Sequence, residues 1–242
     1  MIDLLTIVPT RSRPESVEKV VAAWEATGAF EEGAELLFVV DRDDPRCADY
    51  RAAIADATRN RLVGAAYADV WRPLVPKLNR IAVSLAAGRY AHALGFAGDD
   101  HLPRTEGWVG RYLTVLYQQP GIVYCDDGYQ HENIPTQWAM TADIVRALGR
   151  MVPAPVEHLY CDNAVRDLGQ GADCLTYLPD VMIEHMHPVV CKGSDDEQYR
   201  KVNSSEQYRT DRPAYRGWVR SGGLAHDVEI VRTLIERGEV AA

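Results

Sequence analysis

Two short runs, Leu4-Leu5-Thr6-Ile7-Val8 and Leu36-Leu37-Phe38-Val39-Val40, constrain the fold of this chain more than anything else in it. Each is nearly all apolar, lacks the alternation of a half-exposed strand and stops at a polar cluster. Each therefore reads as a strand covered on both faces. Such strands belong to parallel sheets, whose crossovers are helices. A helix is predicted to start near Pro14, capped by Ser12 or Arg13, with Val17, Val20, Val21 and Trp24 at spacings of three and four. Further helices are predicted over 46–57, 76–87 (closed by Gly88), 108–117, 141–148, 156–168 and about 224–236. Further strands are predicted from Leu62-Val63 and over 91–97, 121–125, 172–177 and 181–185. The expected fold class is α/β: a mostly parallel central sheet flanked by helices. Arg, Tyr, Asp and Ser become dense after about residue 190, so 1–190 reads as one domain and 191–242 as a helical C-terminal extension packed on it.

Composition excludes several classes. With 242 residues, 47% hydrophobic and 25% charged, the chain is globular, not disordered or collagen-like. It has no window of about 18 uncharged apolar residues, so no membrane span is expected. The start, Met1-Ile2-Asp3-Leu4-Leu5, has neither a basic segment nor a cleavage pattern, so no signal peptide is expected. Five cysteines without a CxxC pair predict reduced thiols and a cytoplasmic location. A net charge of −9 disfavours electrostatic binding to nucleic acid.

In open α/β sheets, ligands lie outside the carboxyl ends of the strands. Three strand ends here carry polar clusters: Pro9-Thr10-Arg11-Ser12-Arg13, Asp41-Arg42-Asp43-Asp44 and Asp99-Asp100-His101. An acidic pair after a buried strand suits a divalent cation, Mn²⁺ or Mg²⁺, which takes carboxylates together with substrate phosphates. The other reading of Asp99-Asp100 is a helix cap and a solvated turn. His185-Met186-His187 follows a later strand. Alternation puts at most one of its imidazoles on the site face. A zinc site from Cys174, His185, His187 and Cys191 matches none of the usual structural zinc spacings.

Five ordered pieces resemble a GT-A glycosyltransferase of the family 2 type. They are Ile7-Val8-Pro9-Thr10-Arg11-Ser12-Arg13-Pro14, Phe38-Val39-Val40-Asp41, the helix with Lys77 and Asn79, Gly98-Asp99-Asp100, and Ile183-Glu184-His185. The resemblance covers roughly residues 3–190. It implies a Rossmann-like GT-A sheet, a nucleotide-sugar-binding half (1–105) and an acceptor half (106–190). It also implies transfer of a hexosyl-type sugar from a nucleotide-sugar donor to an acceptor hydroxyl, with inversion. Carried over by position, Pro9, Thr10, Arg11, Arg13 and Asp41 line the nucleotide pocket, and Lys77, Asn79 and Asp99 lie near the diphosphate or sugar. Asp100, with His185 or His187, holds the metal. The sequence departs from the family's acidic motif in having Ala97 where the first Asp usually stands. The family's base stands at the start of a helix, often in a Glu-Asp pair. Here the stretch is His158-Leu159-Tyr160-Cys161-Asp162-Asn163, and Asp162 is the candidate base.

Other residues carry two readings. Asp126-Asp127, ahead of Gly128, is either an acceptor-holding pair or a turn. Trp108 and Trp138 either stack on sugar or pack in the core. Lys192, Arg209, Arg212, Tyr215 and Arg216 form either a segment folded over the diphosphate or a solvated face. A nucleotidyltransferase shares the sheet and the metal, but the 9–14 loop lacks the glycines of that class. A non-catalytic nucleotide- or sugar-binding protein on the same scaffold, and an interaction module with merely superficial acidic clusters, are the readings from other classes. The acceptor stays open among glycan, protein, small molecule and modified DNA base.

Overall fold

The computed structural model describes residues 2–58, 63–68, 73–193 and 195–238. Met1, Leu62, Ser194 and 239–242, which belong to segments predicted above, lie outside the described residues. The chain runs β1 (Ile2–Thr10), α1 (Glu15–Ala26), β2 (Ala34–Asp41), α2 (Cys47–Ala57), β3 (Val63–Ala68), α3 (Leu74–Ala87) and β4 (Ala91–Phe96). It continues with β5 (His101–Pro103), α4 (Trp108–Leu116), β6 (Ile122–Asp126), β7 (Trp138–Thr141), α5 (Ala142–Leu148) and α6 (Cys161–Gly171). It closes with β8 (Leu175–His185), α7 (Glu197–Val202), α8 (Ser205–Arg220) and α9 (Gly223–Glu236). These strands form one curled sheet in the order β3-β2-β1-β4-β7-β6-β8-β5. The pairs β1·β2, β1·β4, β2·β3 and β6·β8 are parallel; β4·β7, β6·β7 and β5·β8 are antiparallel.

The core lies on both faces of this sheet. Alternation along β1 sends Leu5 and Ile7 into a cluster with residues of α3, α5, α6 and α9. Leu4 and Val8 enter the opposite cluster with α1, α2 and α4. The four predicted apolar positions of α1 are all buried there. Thr6 of β1 lies opposite Gly95 of β4, where a Cβ would come within 2.5 Å of the Thr6 hydroxyl oxygen. The strands approach closely because residue 95 has no side chain. No helix among the described residues is long and apolar enough to cross a membrane.

Local chemistry moved several predicted boundaries. Neither Ser12 nor Arg13 caps α1: it starts after Pro14 without a side-chain cap, and Ser12 adopts a left-handed φ of 62° with its N–H on Asp44. The helix predicted from 156 begins only at Cys161, because Asp211 of α8 binds the backbone N–H groups of Glu157, His158 and Leu159 at 2.6, 3.1 and 2.8 Å. Those groups then have no need of helical partners. The strands predicted over 172–177 and 181–185 are one bent strand, β8, with its exposed bend at Pro179-Asp180 and a register shift against β6. Strands β5 and β7 had no counterpart in the sequence reading. Trp108 and Trp138 are buried core residues, 2% and 1% exposed, and offer no face to a sugar.

The C-terminal helices are fastened by buried carboxylates. Asp211 is fully buried and also accepts from Gln207 at 2.8 Å. Asp227 of α9 takes both of its contacts from Arg150, at 2.6 and 2.7 Å. Replacing Asp211 by Ala strands three backbone donors. We expect Asp211→Ala to cost about 3 kcal/mol or more and Asp211→Asn less, since the amide keeps one acceptor. Urea unfolding midpoints at unchanged slope measure this.

Candidate active site at the carboxyl ends of the strands

The carboxyl ends of β1, β2 and β4 open into a cavity of about 310 Å³. Eleven of the twelve candidate residues line it: Pro9, Thr10, Arg11, Arg13, Asp41, Lys77, Asp99, Asp100, Asp162, His185 and His187. Asn79 does not. Its carbonyl oxygen accepts from the N–H groups of Met151 and Val152, and its amide donates to the Val152 carbonyl, so it pins that loop to α3.

One end of the cavity is built on cations. Asp41 is fully buried and accepts from Lys77 Nζ at 2.8 Å and Arg11 Nη1 at 3.1 Å; Arg11 also reaches Asp43 at 2.9 Å. Burying such a pair is weak as a stabilising device, which favours a binding role for these charges. Arg13 links two further elements. Its Nη1 lies 3.2 Å from Asp99, and its Nε and Nη2 form a fork on Asp196 at 2.6 and 2.8 Å. Asp99 also accepts from Thr10 at 2.5 Å and Ser16 at 3.3 Å. Burial, reinforced by the neighbouring Asp100, raises its pKa to about 6 despite Arg13.

The middle of the cavity is set by a strand pair. β5 and β8 pair so that His101 lies opposite His185, and the two rings stack at 4.0 Å. Asp100, beside them, is 3.1 Å from His101 Nδ1 and 3.5 Å from His185 Nε2. Burial opposes charge on Asp100, but the two imidazoles outweigh it and hold the carboxyl well below its usual pKa. Burial likewise lowers His185, and Asp100 and Asp127 overcome this, raising it to about 9. His101, burdened by burial and by His185, is shifted down.

These residues fit a divalent cation. Asp100, His101 and His185 each offer a ligand atom, all within 4.8 Å of one another. His185 Nδ1 is buried without a hydrogen-bond partner; Asp127 lies 3.8 Å away, beyond reach. Gly98 leaves the cluster its room: a Cβ there would lie 2.5 Å from Asp100 Oδ1 and 2.9 Å from His101 Nδ1. One carboxylate and two imidazoles suit Mn²⁺ better than the harder Mg²⁺.

His187 also lines the cavity, contrary to the alternation argument, because β8 ends at His185 and strand geometry no longer applies. It stacks on Tyr129 at 4.8 Å, and its Nδ1 accepts from Val189 N–H. Asp127, 1% exposed, accepts from the N–H groups of Tyr129, Gln130 and His131 and from Thr136. It organises the 127–136 loop, lies 3.8 Å from His185 Nδ1 and does not line the cavity.

Asp162 occupies the first turn of α6, on the cavity wall. Burial raises its pKa to about 6; the Cys161 thiol, 3.1 Å from Oδ1, opposes this only in part. The preceding Tyr160 holds a left-handed φ of 66° and stacks on Tyr215 at 5.3 Å. Backbone strain of this kind concentrates at functional sites.

The structure also bears on two readings that the sequence weighed against an alternative. Cys174 is buried against β6, away from the histidines. Of the tail residues proposed to fold over the diphosphate, Lys192 pairs with Glu184, Tyr215 binds Asp167, and Arg209, Arg212 and Arg216 are exposed; none lines the cavity. Different tail residues do, among them Gln198, Tyr199, Asn203 and Gln207. The sequence reading also missed His101, whose only signal was its place after Asp99-Asp100.

No protein-family model matches the chain, and no curated protein matches it in sequence. Solved structures do match in shape. The chain superposes on the mannosyltransferase PcManGT from Pyrobaculum calidifontis, in complex with GDP-Man and Mn²⁺, with a TM-score of 0.58 at 13% identity over 99% of this chain and 75% of that one. It superposes on S. aureus TarS 1-349 in complex with UDP with a TM-score of 0.56 at 9% identity, over 97% and 90% of the two chains. The TarS complex with UDP-GlcNAc gives a TM-score of 0.54 at 9% identity, over 97% and 91%. Element order, sheet and these likenesses agree: the chain has the GT-A-type glycosyltransferase fold.

Proposed function

We propose that the chain is a glycosyltransferase of the hexosyl type, moving a sugar from a nucleotide-sugar donor to an acceptor hydroxyl with inversion. The observation that carries this reading is the set of groups that meet at one cavity. Three cations (Arg11, Arg13, Lys77), Asp100 and His185 with His101 beside them, and a carboxyl with a pKa of about 6, Asp162, share it. The donors of GDP-Man and UDP-GlcNAc found in the neighbours support the donor class.

In this reading the nucleotide lies along Pro9, Thr10, Arg11 and Asp41. Arg13 and Lys77 attract the diphosphate. Asp99 keeps Arg13 in place. A divalent cation held by Asp100, His101 and His185, with His187 beside them, would neutralise charge on the departing diphosphate. Asp162 accepts the proton of the acceptor hydroxyl as that oxygen bonds to the anomeric carbon. The bond from that carbon to the diphosphate breaks, and its electron pair leaves with the nucleoside diphosphate. Attack from the side opposite the leaving group inverts the centre.

Two measurements test this. Nucleoside diphosphates and nucleotide sugars should raise the thermal midpoint in the presence of Mn²⁺ more than Mg²⁺. At a hundredfold excess over Kd the gain is about 2.7 kcal/mol, on the order of 5–10 °C for a chain of this size. Asp100→Ala should abolish the metal-dependent part, and Arg13→Ala should weaken the shift. No shift with any nucleotide overturns the donor assignment.

For catalysis, Asp162→Asn should lower kcat about 10²- to 10⁴-fold while the nucleotide shift persists. A base works only when ionised. Because burial raises the Asp162 pKa to about 6, wild-type kcat should be flat above that pH and fall tenfold per pH unit below it. Unchanged turnover in Asp162→Asn would remove Asp162 as the base.

A further inference from the structure

We infer that the acceptor is an uncharged carbohydrate, held by its hydroxyl groups against the wall that α7 and the start of α8 build across the cavity. The inference rests on the glycosyltransferase reading above and adds the acceptor class to it.

The wall's chemistry is the first argument. Its cavity-lining side chains are Gln198, Tyr199, Lys201, Val202, Asn203 and Gln207. All but one are uncharged, and Lys201 is exposed and already has a partner. The Gln198 carboxamide and the Tyr199 hydroxyl have no hydrogen-bond partner among the described residues. Asn203 donates its Nδ2 to the Tyr199 carbonyl, and Gln207 its Nε2 to Glu157 and Asp211, so both carbonyl oxygens remain available. A carboxamide presents donors and an acceptor together, which is what a vicinal pair of hydroxyls, each donor and acceptor, requires.

The rings are the second argument. Tyr199 stands edge-on to His187 at 5.4 Å, and His187 stands edge-on to His185 at 4.8 Å. Tyr160, with Tyr215 behind it, lines the same cavity two residues before Asp162. Tyrosine combines a rigid apolar face with a polar tip, matching the C–H face and the hydroxyl rim of a pyranose. The α7 wall is fixed relative to the donor end, because Asp196 both caps α7 through Tyr199 N–H at 2.8 Å and forks onto Arg13.

Charge is the third argument: on the α7 wall it disfavours a polyanionic acceptor. The cations on and beside the α7 wall, away from Arg11, Arg13 and Lys77 of the donor end, are paired: Arg200 with Asp195, and Lys192 and Arg104 with Glu184. Glu157, Asp195, Glu197 and Glu206 are exposed along the same segments. A nucleic acid needs lysines and arginines to displace its counterions; here its phosphates would meet carboxylates. The exposed Arg209, Arg212 and Arg216 of α8 do not line the cavity. The hydroxyl facing Asp162 gives that carboxylate its proton, its oxygen takes the anomeric carbon, and the old bond's electron pair leaves with the nucleoside diphosphate.

The test incubates the full chain and Mn²⁺ with whichever of GDP-mannose, UDP-N-acetylglucosamine or UDP-glucose gives the largest thermal shift. The acceptor probes are p-nitrophenyl glycosides of glucose, galactose, mannose and N-acetylglucosamine, with maltose, lactose and chitobiose. A duplex and a single-stranded oligodeoxynucleotide and a serine- and threonine-containing peptide mixture run alongside. Mass spectrometry reads addition of one sugar, and nucleoside diphosphate release reads the rate. The expected result is transfer to at least one saccharide and to neither oligonucleotide nor peptide. Tyr199→Ala and Gln198→Ala should each raise the acceptor KM about tenfold with little change in kcat, equivalent to about 1.4 kcal/mol. Tyr199→Phe should recover most of that loss, and the donor's thermal shift reports that each variant is folded. Transfer to DNA or peptide, transfer to no saccharide by a protein that binds donor, or saccharide KM values indifferent to both substitutions overturns the inference and leaves the donor reading standing. Failure to bind any donor overturns that reading, and this one with it.

Discussion

Strand β1 hydrogen-bonds to β2 along one edge and β4 along the other and is covered by helices on both faces. From Leu4 to Pro9 it carries no charged residue, and Thr6 is its only polar one. Its register with both neighbours, close enough at Thr6 and Gly95 to exclude a side chain, aligns the ends of three strands at one opening. Charged residues gather there because that is where the backbone leaves the core, and they must then solvate one another. Residues 10–16 are the meeting point: Thr10, Arg13 and Ser16 satisfy Asp99 from β4's end, while Arg11 helps satisfy Asp41 from β2's. Each guanidinium therefore joins two elements and remains at the cavity wall.

The short β5–β8 pair is the second constraint. Three residues of β5 suffice to set His101 against His185. Antiparallel register puts the two side chains on one face, and the preceding Asp100 completes a three-residue group from segments more than eighty positions apart. The two histidines are shifted in opposite directions for reasons of placement. His185 faces two carboxylates, and His101 faces His185. A cation entering this cluster would have to displace the His185 proton, so ion binding and protonation compete for the same atoms.

The long-range layout was legible where burial imposes a pattern. The apolar runs of β1, β2 and β4 stood out because both faces are covered, and the polar residues at their ends followed from where such strands stop. The GT-A-type resemblance drew on those same ends. What was not legible depends on partners remote in sequence. β5 and β7 are too short to carry a period of two. The start of α6 depends on Asp211, some fifty residues later, and no local signal at 156–160 reports it. Asn79 and Trp138 have residue types suited to sugar binding, yet a loop backbone takes one and the core takes the other. His101 was hidden because its role arises from β8 pairing, and the tail residues that reach the cavity differ from the arginines that made the tail conspicuous.

The net charge of −9 takes on a different meaning once the carboxylates are located. Several of them accept backbone N–H groups: Asp44 from Ser12 and Arg46, Asp127 from three residues of its own loop, Asp196 from Tyr199 and Asp211 from three residues ahead of α6. An ionised carboxylate makes stronger hydrogen bonds than a neutral acceptor and can take several at once, which suits the irregular segments around a cavity where ladders and helices do not reach. Two of these acceptors belong to the tail, and they hold different parts of the cavity wall. Asp196 holds Arg13, and Asp211, with Tyr215 against Tyr160, shapes the segment that leads into Asp162. The last fifth of the chain thus fixes parts of the cavity wall to β1 and to the segment ahead of α6, and it does so through acidic side chains that composition alone would assign to the surface.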